Sequence, residues 1–97
     1  MEQLTLLEQD LINAVCIFHA KFKHVEPNDV EVELEYDDVT GYGAEAYVNG
    51  QRDVYKTPQL MTALRLYIKE QLGKDSISCG IELDIDDEEG MIARVNW

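Results

Sequence analysis

Thirteen of the twenty acidic side chains fall in two short segments, and these are the first candidates for chemistry. Glu26 to Asp38 holds seven acids and no base, and six of the eight positions from Glu82 to Glu89 are acidic. Carboxylates at this density suit a hard cation, a basic protein surface, or simply water. The run DIDDEEG, residues 84–90, resembles a calcium loop at first sight. Its spacing fails, because such a loop needs Gly at the sixth position and Glu at the twelfth. Counting from Asp84, those positions hold Glu89 and Val95. An acidic hairpin turn is the simpler reading. A weak divalent-cation site, in the 84–89 turn or on an acidic sheet face, is the alternative.

Soft-ligand and nucleophile chemistry has less to stand on. Cys16 and His19 are three apart, with His24 following, but a structural zinc site needs four ligands and no CxxC pair exists. Cys16 belongs to an apolar stripe, and His19 is expected at the stripe's edge with its polar tip in water. Cys79 takes an inward strand position, which favours an inert thiol over a reactive thiolate. No GxSxG, HExxH or phosphate-cradling glycine loop is present. No catalytic, cofactor-binding or metal-ligating residue is assigned, and the chain reads as a non-enzyme with no cofactor.

The elements that would position these groups belong to one domain, residues 1–97, with 45% hydrophobic residues and a net charge of −12. That charge argues against nucleic acid and anionic membrane surfaces, which demand cations. No apolar run approaches the roughly 18 residues of a membrane helix. The N-terminal MEQLTLLEQD lacks the basic segment of a secretory signal. Two cysteines without such a signal imply reduced thiols and a cytoplasmic location.

Thr5 and Glu8 form a capping-box pattern, so a helix is expected over 6–22, with Leu11, Val15, Phe18 and Phe22 as its apolar stripe, widened by Ile12, Cys16 and His19. From Val30 the period changes to two: Val30, Val32, Leu34 and Tyr36 alternate with Glu31, Glu33 and Glu35. A second strand runs from Tyr42 to Val48, and a third over 51–56 follows the Asn49-Gly50 turn. A two-residue turn would pair Val48 with Gln51. A glycine bulge would put Val54 on the face of Ala44 and Ala46, and is preferred because it keeps apolar residues together. Thr57 as N-cap and Pro58 start a second helix that ends at Gly73. Ile77 to Ile85 alternate with Ser, Gly and acids, and Met91, Ala93, Val95 and Trp97 line a last strand.

The expected fold is α+β in two layers, order α-β-β-β-α-β-β. Both helices cover one face of a five-stranded mixed, mostly antiparallel sheet. The helix between the third and fourth strands should make a right-handed crossover and leave those two strands parallel. The first five elements share the αβββα order of double-stranded-RNA-binding domains, but only as a fold. The second helix offers Arg65, Lys69 and Lys74 and no basic cluster beyond Lys56, so RNA is not an expected partner. With the helices on one side, Glu31, Glu33, Glu35, Glu82, Asp84 and Asp86 share the open face, and Tyr47 joins them if Ala44, Ala46 and Val48 point inward. A solvated face that stops the sheet stacking on others is the plain reading of this surface.

The segments EQDLINAVC (8–16), VEVELEYDD (30–38), AEAYVNG (44–50) and IELDIDDEEGMIA (81–93) resemble the YxcD-like family of small uncharacterised proteins from Bacillus-type bacteria. The likeness covers nearly the whole chain. It implies a bacterial cytoplasmic protein and carries over no site residue. The functional expectation is a small acidic interaction or regulatory module, whose partner is a basic protein surface met through the face formed by the six acids and Tyr47, or a second copy of the chain met through an edge strand.

Overall fold

A computed structural model describes residues 2–97. The elements run β1 (Gln3–Leu6), α1 (Glu8–Lys23), a single 3-10 turn (Pro27–Asp29), β2 (Glu31–Asp37), β3 (Gly41–Val48), β4 (Gln51–Tyr55), α2 (Thr57–Glu70), β5 (Gly80–Asp86) and β6 (Gly90–Asn96). The class is α+β, as expected, but the strands form two three-stranded antiparallel sheets, ordered β2-β3-β4 and β1-β6-β5. Helix α1 packs on both sheets and on α2, and α2 also packs on β3 and β4. The single five-stranded sheet and its parallel pair are therefore corrected.

The reason lies in Gln3–Leu6. Leu4 and Leu6 pair with Val95 and Ala93, which makes β6 the centre of its own sheet, with β5 on its other edge. Thr5 is committed to this ladder opposite Arg94 and does not cap α1. The helix begins two residues later than expected. The Leu7 N–H is held instead by the Asp10 carboxylate at 3.0 Å, the acid-reaching-back half of a capping box. The β5 strand likewise starts at Gly80; Cys79 is buried, but Ile77 is 89% exposed and the segment before β5 is a loop. In that loop the Asp75 carboxylate accepts from the N–H groups of Ile77 and Ser78. The Asp75 carbonyl accepts from the Trp97 indole at 2.6 Å.

Two hairpin turns use one device. In Asp37-Asp38-Val39-Thr40-Gly41 the Asp37 carboxylate accepts from the N–H groups of Val39 and Thr40. In Asp86-Asp87-Glu88-Glu89-Gly90 the Asp86 carboxylate accepts from Glu88 and Glu89. Between β3 and β4, Asn49 and Gly50 both take positive φ (51° and 80°), a two-residue hairpin turn that pairs Val48 with Gln51. This overturns the bulged register. Val54 faces outward, and Asp53 and Tyr55 join Ala44 and Ala46 on the inner face.

Helix α2 starts at Thr57, with the Lys56 N–H held by the Gln59 side chain at 2.7 Å. The Thr57 hydroxyl, expected as the cap, donates to the Tyr42 carbonyl and ties the helix start to β3. Gly73 takes positive φ beyond the helix end, as its sequence position suggested. The core is centred on Leu11, Val15, Leu60, Leu64, Ile68 and Val95, all fully buried.

The tight corner between β4 and α2 leaves no room at Gly43, where a Cβ would lie 2.6 Å from the Tyr55 carbonyl oxygen. Gly43→Ala is expected to lower unfolding stability by about 1–3 kcal/mol in urea titration, because the contact is with backbone. Gly80→Ala, which meets nothing within 4 Å, should be close to neutral.

Candidate functional site

Helix α1 places Leu11, Val15 and His19 at four-residue spacing, so the histidine continues the most buried line of the helix. His19 is 1% exposed, not a stripe-edge residue with its tip in water. Phe22, expected in the stripe, is instead 68% exposed. The β4 register delivers Asp53 and Tyr55 beneath the same turn of α1. The Tyr55 hydroxyl lies 2.8 Å from His19 Nδ1, and Asp53 Oδ2 lies 3.4 Å from His19 Nε2. Lys23 Nζ, one helical turn further on, is also 3.4 Å from Asp53 Oδ2.

Burial, and then the nearby Asp53 charge, push the Tyr55 phenol up to about 12. It is therefore protonated and donates to Nδ1, and the ring hydrogen of a neutral His19 sits on Nε2, facing the Asp53 carboxylate. Desolvation lowers the His19 pKa below its ordinary 6.5; Asp53 opposes this shift and Lys23 adds to it. His19 Nε2 and Asp53 Oδ2 face each other beyond hydrogen-bond length, and both are buried without a hydrogen-bond partner.

These three side chains line a pocket of about 380 Å³ whose remaining walls are Phe18, Phe22, Val54, Gln59 and Thr62. Phe18 meets Tyr55 edge-on, with ring centroids 6.0 Å apart. Phe22 lies 6.2 Å from the His19 ring, and Lys23 Nζ is 5.5 Å from the Phe22 ring centre. An apolar cleft with a few convergent polar groups is the usual form of a small-molecule or side-chain binding site.

The residues chosen from the sequence lie elsewhere, on two sheets rather than one face. Glu31, Glu33 and Glu35 are exposed on β2, opposite Tyr47, Glu45 and Gly43 of β3. The Tyr47 hydroxyl donates to Glu45 at 2.7 Å, and Arg52 pairs with the same carboxylate, which is 6% exposed. The Arg52 and Tyr47 hydrogen bonds hold the Glu45 carboxyl below its ordinary value. Partial desolvation, and then the Glu45 carboxylate, raise Glu35. Glu82, Asp84 and Asp86 belong to β5 in the other sheet. Arg94 pairs with Glu82 at 3.1 Å and with Asp84 at 2.9 Å, and Asp86 is turned back on its own hairpin.

Cys16 and His19 are not brought together. The Cys16 thiol is directed at the Val30 carbonyl, 3.6 Å away, and both cysteines are free. Among the described residues, no three His, Cys, Asp or Glu side chains are placed to hold a metal ion. Nor is any helix among them long and apolar enough to cross a membrane.

Sequence reasoning missed Asp53, Tyr55, Glu45 and Arg52. Asn49-Gly50, read strictly as a two-residue turn, would have turned Asp53 and Tyr55 inward. The Leu11-Val15-His19 spacing would then have set the histidine above them.

This α+β domain belongs to the family described as Protein of unknown function (DUF2653), matched over residues 1–88. It is similar to Uncharacterized protein YxcD of Bacillus subtilis (strain 168), 27% identical over 94 residues that cover 96% of this chain and 92% of the relative. The likeness to YxcD-like proteins therefore holds. No solved structure matches the chain.

Tyr55→Phe should cost about 1–3 kcal/mol of stability in chemical denaturation, because it leaves the buried Nδ1 without its donor. The depressed His19 pKa makes a second prediction. The unfolded chain binds the proton more tightly than the folded one, so stability is fully present above about 6.5 and falls as pH drops below it. Denaturation midpoints measured from about pH 7 to 5.5 should decline in the parent and flatten in His19→Gln, since this window lies above ordinary carboxylate titration.

Proposed function

We propose that the chain is a small, non-enzymatic, cytoplasmic interaction module that seats an apolar side chain of a basic partner segment in the pocket between α1, β4 and α2. The observation that carries this reading is Phe22. A large aromatic ring, 68% exposed, stands at an apolar pocket that also contains an outward-facing Val54, itself 47% exposed. Exposed aromatics beside a concave apolar surface are typical anchor points for protein contacts.

Charge supports the partner's sign. With a net charge of −12, the surface field attracts basic segments and speeds their encounter. The uncompensated Glu31, Glu33 and Glu35 row on β2 extends that field beyond the pocket. The polar trio of the pocket fits the non-enzymatic reading. Tyr55 is a protonated phenol engaged with His19, and the imidazole is flanked on both sides, an arrangement that suits recognition better than proton transfer to a substrate. Two free thiols fit a reducing compartment.

Peptides selected from a random display library against this chain should converge on a large apolar or aromatic residue flanked by Lys or Arg. A selected peptide should bind Phe22→Ala about tenfold more weakly, the loss typical of an interface anchor. Its affinity should also fall with added salt. Convergence on sequences with no large apolar or aromatic residue, or binding indifferent to Phe22, would refute the reading.

A further inference from the structure

Two buried atoms in the pocket wall, His19 Nε2 and Asp53 Oδ2, specify more than an apolar anchor. His19 Nε2 carries a hydrogen, because Nδ1 is occupied by the Tyr55 O–H; Asp53 Oδ2 only accepts. Donor and acceptor lie 3.4 Å apart and neither makes a hydrogen bond, although Asp53 Oδ2 also faces the Lys23 ammonium at 3.4 Å. A buried unpartnered group costs about 1–3 kcal/mol and so favours a ligand that completes it. A hydroxyl is the smallest group that does both jobs: its oxygen accepts from Nε2–H while its hydrogen is donated to Oδ2. An ammonium could serve Asp53 but would oppose Nε2–H. A carboxylate could serve His19 but would be repelled by Asp53.

We infer that the pocket recognises a phenol, the side chain of a tyrosine, with the ring against Phe18, Phe22 and Val54 and the hydroxyl bridging His19 Nε2 and Asp53 Oδ2. This rests on the pocket being the binding site, as proposed above, and names the anchor. The space suffices, since an apolar cavity of about 150 Å³ accepts benzene and this pocket measures about 380 Å³. Both polar atoms are shielded from solvent, so the entering hydroxyl must part Nε2 from Oδ2 and displace the Lys23 ammonium from Asp53. Lys23 lies in the last turn of α1, and its 3.4 Å contact is longer than a hydrogen bond.

The test uses side-chain analogues on the full chain, with binding followed by NMR titration. Expected is p-cresol binding about tenfold or more tightly than toluene, the worth of one hydrogen bond to a charged group. Asp53→Ala, a position open enough to truncate without emptying the core, should bring the two ligands to similar affinity. His19 ring signals should move with p-cresol. If toluene binds as tightly as p-cresol, hydroxyl recognition falls while the apolar pocket stands. If benzylamine binds more tightly than p-cresol, Asp53 is an ionic site and the phenol assignment is wrong. If none of the three binds, both this inference and the pocket reading fall.

Discussion

The two-residue turn at Asn49-Gly50 governs more of this molecule than its size suggests. Strand side chains alternate faces with a period of two, so one added residue in the turn would invert every side chain of β4. With both turn residues at positive φ, Val48 faces Gln51, and the alternation carries Asp53 and Tyr55 inward. An aspartate on the inner face of a strand is unfavourable unless something meets it. His19 and Lys23 of α1 do so, and Tyr55 holds the far side of the imidazole. The pocket, its polar base and its exposed aromatic edge all follow from that register.

Charge is distributed so that the acidic strands do not oppose each other. Rows of carboxylates on adjacent strands repel. In the observed topology, Glu31, Glu33 and Glu35 occupy an edge strand of one sheet, and Glu82, Asp84 and Asp86 an edge strand of the other. Of the two rows, only the one on β5 meets a cation on its central strand. Arg94 of β6 bridges Glu82 and Asp84. On β3 there is no cation opposite the glutamates; Arg52 reaches across from β4 and is taken up by Glu45. The β2 row thus keeps its charge exposed, and exposed charge along a sheet edge also discourages pairing with another chain.

The family carries no described activity, so the functional reading rests on the site itself. A fold can host many functions, and what distinguishes this one is a hydrogen-bonded Tyr55–His19 pair aimed at an acceptor across a gap. A histidine kept neutral by burial, with its tautomer set from behind, presents a directional donor rather than a mobile proton.

Alternation in residues 31–36 and 81–85, the turn residues, Pro58 and Gly73 were enough to identify most strands and both helices from the sequence, because these are local preferences of backbone and solvent. Tyr47 was expected on a wet face if Ala44, Ala46 and Val48 point inward; those three are buried, and Tyr47 is half-buried on the other face, bonded to Glu45. Partner choice was not local. Gln3–Leu6 carries a capping pattern that its pairing with β6 overrides, and that pairing is what divides the strands into two sheets. The site was hidden for the same reason. His19 is more than thirty residues of chain away from Asp53 and Tyr55, and each alone reads as a surface or filler residue. Only the packing of α1 over β4, in one of two registers that the sequence left open, makes them neighbours.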